Sequence, residues 1–173
     1  KTLRRTQYDT LGNVRGVSAL LNPRQLASLG LEASLRAHLV RTLASSSVHW
    51  SLACNQRLGG IDEAVAMAVF RITQEAVTNM LRHAQADNLI IQLQRTPEGL
   101  ALSIHDDGRG FVPVRHPADA GQRGLAGMQE RVTALQGSLD ITSQLGLGTR
   151  IEAVFPWPAR TQQRAGSKAT HDL

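Results

Sequence analysis

One cysteine, Cys54, stands in 173 residues, which excludes an internal disulfide framework and a cysteine-built zinc site. A reducing, cytoplasmic setting is the default expectation that follows. Aromatic residues are only 3% of the chain, so its core must come mainly from Leu, Val, Ile and Ala. No apolar run reaches the ~18 residues that mark a membrane-spanning helix. The opening Lys1-Thr2-Leu3-Arg4-Arg5 is followed by polar sequence, so no secretory signal is expected there. Acids are scarce early on: residues 1–60 hold eight Lys/Arg against two acids, residues 61–158 eight against eleven. The basic excess therefore lies outside the central body and lacks interleaved aromatics, which argues against direct nucleic-acid binding.

Hydrophobic residues at 42% and charged residues at 19% are ordinary for a globular domain. Residues 1–21 carry Leu3, Val14, Val17, Leu20 and Leu21 loosely on one helix face, and Asn22-Pro23 stops them. A second helix is predicted over 31–43, where Leu31, Leu35, Leu39 and Leu43 recur every four residues, and a short strand over 48–53. The longest helical pattern runs over 61–83. There Ala64, Ala68, Ile72, Ala76 and Met80 recur, Val65, Val69 and Leu81 widen the stripe, and Asp62 and Glu63 suit the first turn. Strands follow over 88–95 and 100–105, joined by Thr96-Pro97-Glu98-Gly99. Residues 106–123 read as a long loop, of a length that is usually functional. A helix over 125–135 and a hairpin of 138–143 with 149–155 complete the body, and the polar tail 159–173 is expected to be disordered. Helices followed by antiparallel strand pairs predict a two-layer α/β sandwich: a mixed, mostly antiparallel sheet on about three helices, with the N-terminal helix remnant attached.

Four segments could carry chemistry. On the long helix Arg71, Glu75, Asn79 and either Arg82 or His83 stack on one face. Glu75 and Asn79 offer oxygens one turn apart, which suits Mg²⁺, and a cation one turn on could meet a phosphate; an ordinary polar face would look the same. The strand ending Ile104-His105-Asp106-Asp107-Gly108-Arg109-Gly110-Phe111 turns Asp106 to the same buried side as Leu102 and Ile104. A carboxylate there needs a partner, such as the exocyclic amine of a base, although Asp-Gly is also common turn chemistry. Gly121-Gln122-Arg123-Gly124-Leu125-Ala126-Gly127-Met128 feeds a helix, whose N-terminal amides bind anions readily; it is neither a Walker A loop nor a Rossmann fingerprint. Gly148-Thr149 places a hydroxyl at a strand start. His38, His49, His83 and His105 fit no zinc spacing, and no Gly-x-Ser-x-Gly elbow supports a hydrolase.

In this order, the segments Gln74–Ala84, Asp106–Phe111, Gly124–Val132 and Gly148-Thr149 closely resemble the ATP-binding domain of bacterial two-component sensor histidine kinases. The similar subgroup includes the nitrate and hexose-phosphate sensors, within the wider Bergerat-fold ATPases. The resemblance covers roughly residues 22–156 and implies three parts: residues 1–22 as the end of a dimerisation helix without the accepting histidine, 23–158 as the catalytic domain, and 159–173 as tail. It implies a transferase that binds Mg-ATP and passes the γ-phosphate to a histidine on that helix, for relay to an Asp of a response regulator with a helix-turn-helix output. Asn79 would ligate Mg²⁺, and Glu75 would assist the metal or act as general base. Arg82 and His83 would lie beside the phosphates. Asp106 would hold the adenine amine, with Gly108 and Gly110 shaping the pocket and Thr149 supporting the Asp106 end through its hydroxyl. Residues 112–123 would form a lid, Gly124 and Gly127 would pack on the phosphates, and Leu125 and Met128 would belong to the same nucleotide site. Gln122 stands where the family usually has the first glycine of its lid motif. The implied partners are ATP, a second copy of the full-length kinase and the regulator, with a membrane reached only through segments upstream. A nucleotide-holding module without transfer, an ATP-hydrolysing relative and a pure interaction domain are the alternatives.

Overall fold

The computed structural model describes residues 26, 28–112 and 120–157, with only the backbone of 120–123. The helix expected over 1–21, most of the expected lid and the tail lie outside the described residues.

Helix α1 (Leu31–Leu43) follows Gly30 and buries Leu31, Leu35, Leu39 and Leu43, the four-residue repeat seen in the sequence. At its end Ser46 returns both its backbone N–H and its hydroxyl to the Leu43 carbonyl, satisfying a terminal acceptor. Strand β1 (His49–Cys54) leads to helix α2 (Glu63–Asn79). Asp62 caps α2 from outside rather than standing in its first turn: its Oδ1 accepts the Ala64 and Val65 N–H groups at 2.9 and 3.3 Å, as a capping carboxylate should. The α-helix stops at Asn79 and continues as a π-helical turn over Met80–Ala84. That turn corrects the continuous helix expected to 83. A wider turn rotates later residues off the 3.6-residue phase, which leaves Leu81 43% exposed while Met80 and Ala84 stay buried.

Strands β2 (Asn88–Arg95), β3 (Gly99–Asp106), β4 (Ser138–Gln144) and β5 (Gly148–Pro156) join β1 in one sheet of order β1-β2-β3-β5-β4. The β1–β2 pair is parallel and the rest antiparallel. Register places Ile91, Ile104, Ile151 and Ile141 in one row, with Leu93, Leu102, Ala153 and Leu139 in the next. These side chains meet Phe70, Ile72 and Val77 of α2 and Met128 and Val132 of helix α3 (Ala120–Ala134) in a single core. The mixed sheet on three helices is the two-layer sandwich expected. Helix α3, however, begins five residues before its expected start, so Gly121–Gly124 are helical rather than loop. Glycine costs a helix ~1 kcal/mol against Ala; the burial of Met128 and Val132 on the sheet outweighs that local penalty. Among the described residues no helix is long and apolar enough to cross a membrane.

Candidate functional site: a nucleotide-sized cleft

Where α2 ends, the sheet and α3 part to leave a cleft of ≈ 960 Å³. Its floor is apolar, with Ile104, Ile151, Ile141 and Met80, and its polar groups are few: Asn79, His83, Asp106, Arg109, Gln129 and Thr149. An apolar cavity with a handful of placed polar groups is the usual form of a small-molecule site.

Asp106 lines this cleft and is 8% exposed, because the alternation that buries Leu102 and Ile104 carries it inward at the end of β3. Its Oδ1 accepts the Gly108 N–H at 3.0 Å, and a Thr149 backbone N–H also bonds the carboxylate. Burial raises its pKa above the usual aspartate value; these two donors and His105 oppose the rise, and Asp107 adds to it. Asp107 behaves differently. It is exposed, and its carboxylate accepts the N–H groups of Asp87 and Asn88 at 2.9 and 2.8 Å and the Asn88 amide at 2.7 Å. Those bonds, with the Asn88 side chain foremost, lower its pKa. Of the adjacent acids one is a ligand candidate, and the other ties the end of β3 to the start of β2.

The glycines permit close backbone approach. A Cβ on Gly108 would strike Ala84 of the π turn, and one on Gly110, at φ +61°, would strike the Gln144 carbonyl. The Thr149 hydroxyl does not reach back to Asp106: it bonds the Ser143 hydroxyl at 3.0 Å. Ser143 also accepts the Phe111 N–H at 2.9 Å and bonds the Gly148 carbonyl at 3.0 Å. Thr149 thus supports the Asp106 end through its backbone, while its hydroxyl fixes the hairpin. Ser143 escaped the sequence reading, although pairing the predicted hairpin would have set it opposite Thr149.

The α2 face divides. Asn79 lines the cleft, its side chain without a hydrogen-bond partner among the described residues. Glu75 is half-buried and off the cleft wall; its carboxylate lies where a Cβ on Gly124 would be. Arg71 turns back to Gln74 Oε1 at 3.0 Å rather than lining up with Glu75. The π turn settles the choice between Arg82 and His83: His83 lines the cleft and Arg82 does not. On α3, Leu125, Ala126 and Gln129 face the cleft. Met128, grouped with the site from the sequence, is fully buried in the core, because it shares the inward helix phase of Val132, and Gly127 packs beside the Arg131 guanidinium. Arg109, Phe111 and Ala84 line the cleft as well; no periodicity marks them.

For a divalent cation the donor set is thin on the protein side. Among the described residues no cluster of three His, Cys, Asp or Glu exists. Asn79 presents an amide oxygen with Glu75 one turn behind, which fits Mg²⁺, an ion that keeps water and takes phosphate oxygens.

A mixed sheet on three helices, with a cleft lined by a buried acid and an asparagine, is the frame of a small-molecule-binding domain. Residues 64–159 match the histidine kinase-, DNA gyrase B-, and HSP90-like ATPase family, and the chain belongs to it. The oxygen sensor histidine kinase NreB of Staphylococcus carnosus is 31% identical over 146 residues, 84% of this chain and 42% of that protein. The chain therefore spans less than half of that relative. The fold is similar to the histidine kinase domain of the Erythrobacter litoralis EL346 blue-light activated histidine kinase, with TM-score 0.58 and 19% identity over 83% of this chain and 78% of that one. It is also similar to the Acinetobacter baumannii histidine kinase AdeS, with TM-score 0.60 and 17% identity over 84% and 81%.

Proposed function

We propose that this domain binds Mg-ATP and presents the γ-phosphate to a histidine on a dimerisation helix, from which a response regulator's Asp takes it. The observation that carries the reading is the buried Asp106 carboxylate in a nucleotide-sized cleft that Asn79 also lines. Asp106, ionised, accepts a hydrogen bond from the adenine amine, and the apolar floor takes the flat ring. Asn79 holds the metal with Glu75 behind it, and His83 stands beside the phosphates. Bound Mg²⁺ would neutralise phosphate charge; in phosphoryl transfer the protein's share is positioning and electrostatic stabilisation. Leu125, on the cleft, brings the N-terminal half of α3 toward the triphosphate, with Gly124 packed on Glu75. The accepting helix belongs to a second copy or to another part of the full-length protein. The regulator carries a helix-turn-helix output, and a membrane is reached only through upstream segments, leaving this domain in the cytoplasm.

A second reading, nucleotide holding without transfer, draws on the seat of Glu75 against Gly124 rather than on the cleft wall.

Calorimetric titration with a non-hydrolysable ATP analogue tests the site. Asp106→Asn should weaken binding by about 2 kcal/mol, some thirtyfold, and Asn79→Ala should remove the Mg²⁺ dependence. A folded wild-type chain that binds nothing at millimolar ligand overturns both readings. Labelling of an added histidine-bearing helix by radioactive ATP decides between them.

A further inference from the structure

Arg109 is the one permanent cation among the described residues that line the cleft. Its backbone is pinned at both ends: its N–H donates to the Ala84 carbonyl at 2.7 Å and its carbonyl accepts the Gly146 N–H at 2.8 Å. The side chain is rooted between the π turn and the β4–β5 hairpin, three residues beyond Asp106. Its guanidinium has no hydrogen-bond or ion-pair partner among the described residues. Arg109 and Asp106 both line the cleft, and no ion pair joins them. Both anchors of Arg109 lie at the Asp106 end: Gly108 packs on Ala84, and Gly148 of the same hairpin packs on the Asp106 carbonyl. Asn79, expected to meet the metal and triphosphate, stands on α2, whereas His83, expected beside the phosphates, shares the π turn with the Ala84 anchor.

We propose that Arg109 is a positioning residue for the base: its guanidinium lies over the exposed face of the purine whose amine Asp106 holds, closing the cleft mouth opposite the aliphatic floor of Ile104 and Ile151. A planar, weakly hydrated guanidinium stacks on aromatic faces as an ammonium does not, and a cation over a π system is attracted to it. Phe111, two residues on, lines the same cleft and flanks the stack. This inference rests on the nucleotide reading above.

Three ligands and two variants test it. Wild type, Arg109→Ala and Arg109→Lys are titrated with adenosine, ADP and the non-hydrolysable ATP analogue, and thermal melts confirm each variant is folded. Arg109→Ala should weaken all three ligands by the same factor, roughly 3- to 20-fold, and Arg109→Lys should not restore them. A loss that grows with phosphate number and is repaired by Lys overturns the proposal in favour of a phosphate contact. Unchanged binding by Arg109→Ala overturns it outright while leaving the nucleotide reading standing. Absence of wild-type binding to any of the three overturns both.

Discussion

Asp106 and Asp107 are chemically identical neighbours that the fold drives apart. Asp106 ends a strand on its buried side, and desolvation raises its pKa; Asp107, one residue on, points to water and gathers three donors that lower it. The signs give opposite pH behaviour. In the proposed site Asp106 acts as the carboxylate, so affinity should fall as pH drops through its raised pKa. Titrations at descending pH should show that fall in wild type and none in Asp106→Asn. Asp107 contributes stability that is present above its unfolded pKa and lost as pH falls through its lower folded value. Asp107→Ala should cost about 1 kcal/mol after allowing for exposure, read as a melting temperature lower by about 3 °C at neutral pH, with the gap to wild type closing in acid.

At the scale of elements, α1 meets α2 through a contact the leucine repeat does not announce. His38 is buried edge-on to Phe70, ring centroids 5.5 Å apart. Its Nδ1 lies 3.3 Å from the Thr42 hydroxyl while Nε2 has no partner. Burial first, then the Arg41 charge, pushes its pKa down to about 4. The unfolded chain takes up that proton near pH 6.5 and the folded chain resists it, so stability should drop between those values as pH falls. His38→Leu should flatten that slope and leave neutral-pH stability unchanged or about 1 kcal/mol higher, since it also removes an unpaired buried nitrogen. Urea melts at pH 7 and pH 4.5 would show it. The thiol of Cys54, the one cysteine of the sequence, is pushed up to about 11 by burial and then Glu32, so it stays protonated at neutral pH. The π turn is the other element-scale feature: one wider turn moves His83 onto the cleft, leaves Arg82 outside it, and supplies the Ala84 carbonyl that anchors Arg109.

Over the whole molecule, one core joins all three helices to the sheet, and the cleft is the gap left where α2 and α3 diverge over the ends of β3 and β5. A ligand filling it would touch α2, α3 and four strands at once, β2 to β5, and so would bind only the folded chain. The non-hydrolysable ATP analogue with Mg²⁺ at a hundred times its dissociation constant should therefore add about 2.7 kcal/mol, raising the melting temperature by roughly 5–10 °C. Far-UV circular dichroism and tryptophan fluorescence should report one coincident transition, since Trp50 and Trp157 both pack against that core.

Periodicity in the sequence determined α1, the strand alternation, the buried side of β3 and hence Asp106, because these depend on contacts a few residues apart. Helix phase also set Asn79 on the face that lines the cleft. Only the tertiary structure decided the rest. The π turn chose His83 over Arg82, the sheet claimed Met128 for the core, Gly124 met Glu75, and Ser143 rather than Asp106 took the Thr149 hydroxyl. Each of those outcomes rests on groups brought together by folding from distant or differently phased parts of the chain, and no local pattern encodes the angle at which two elements meet.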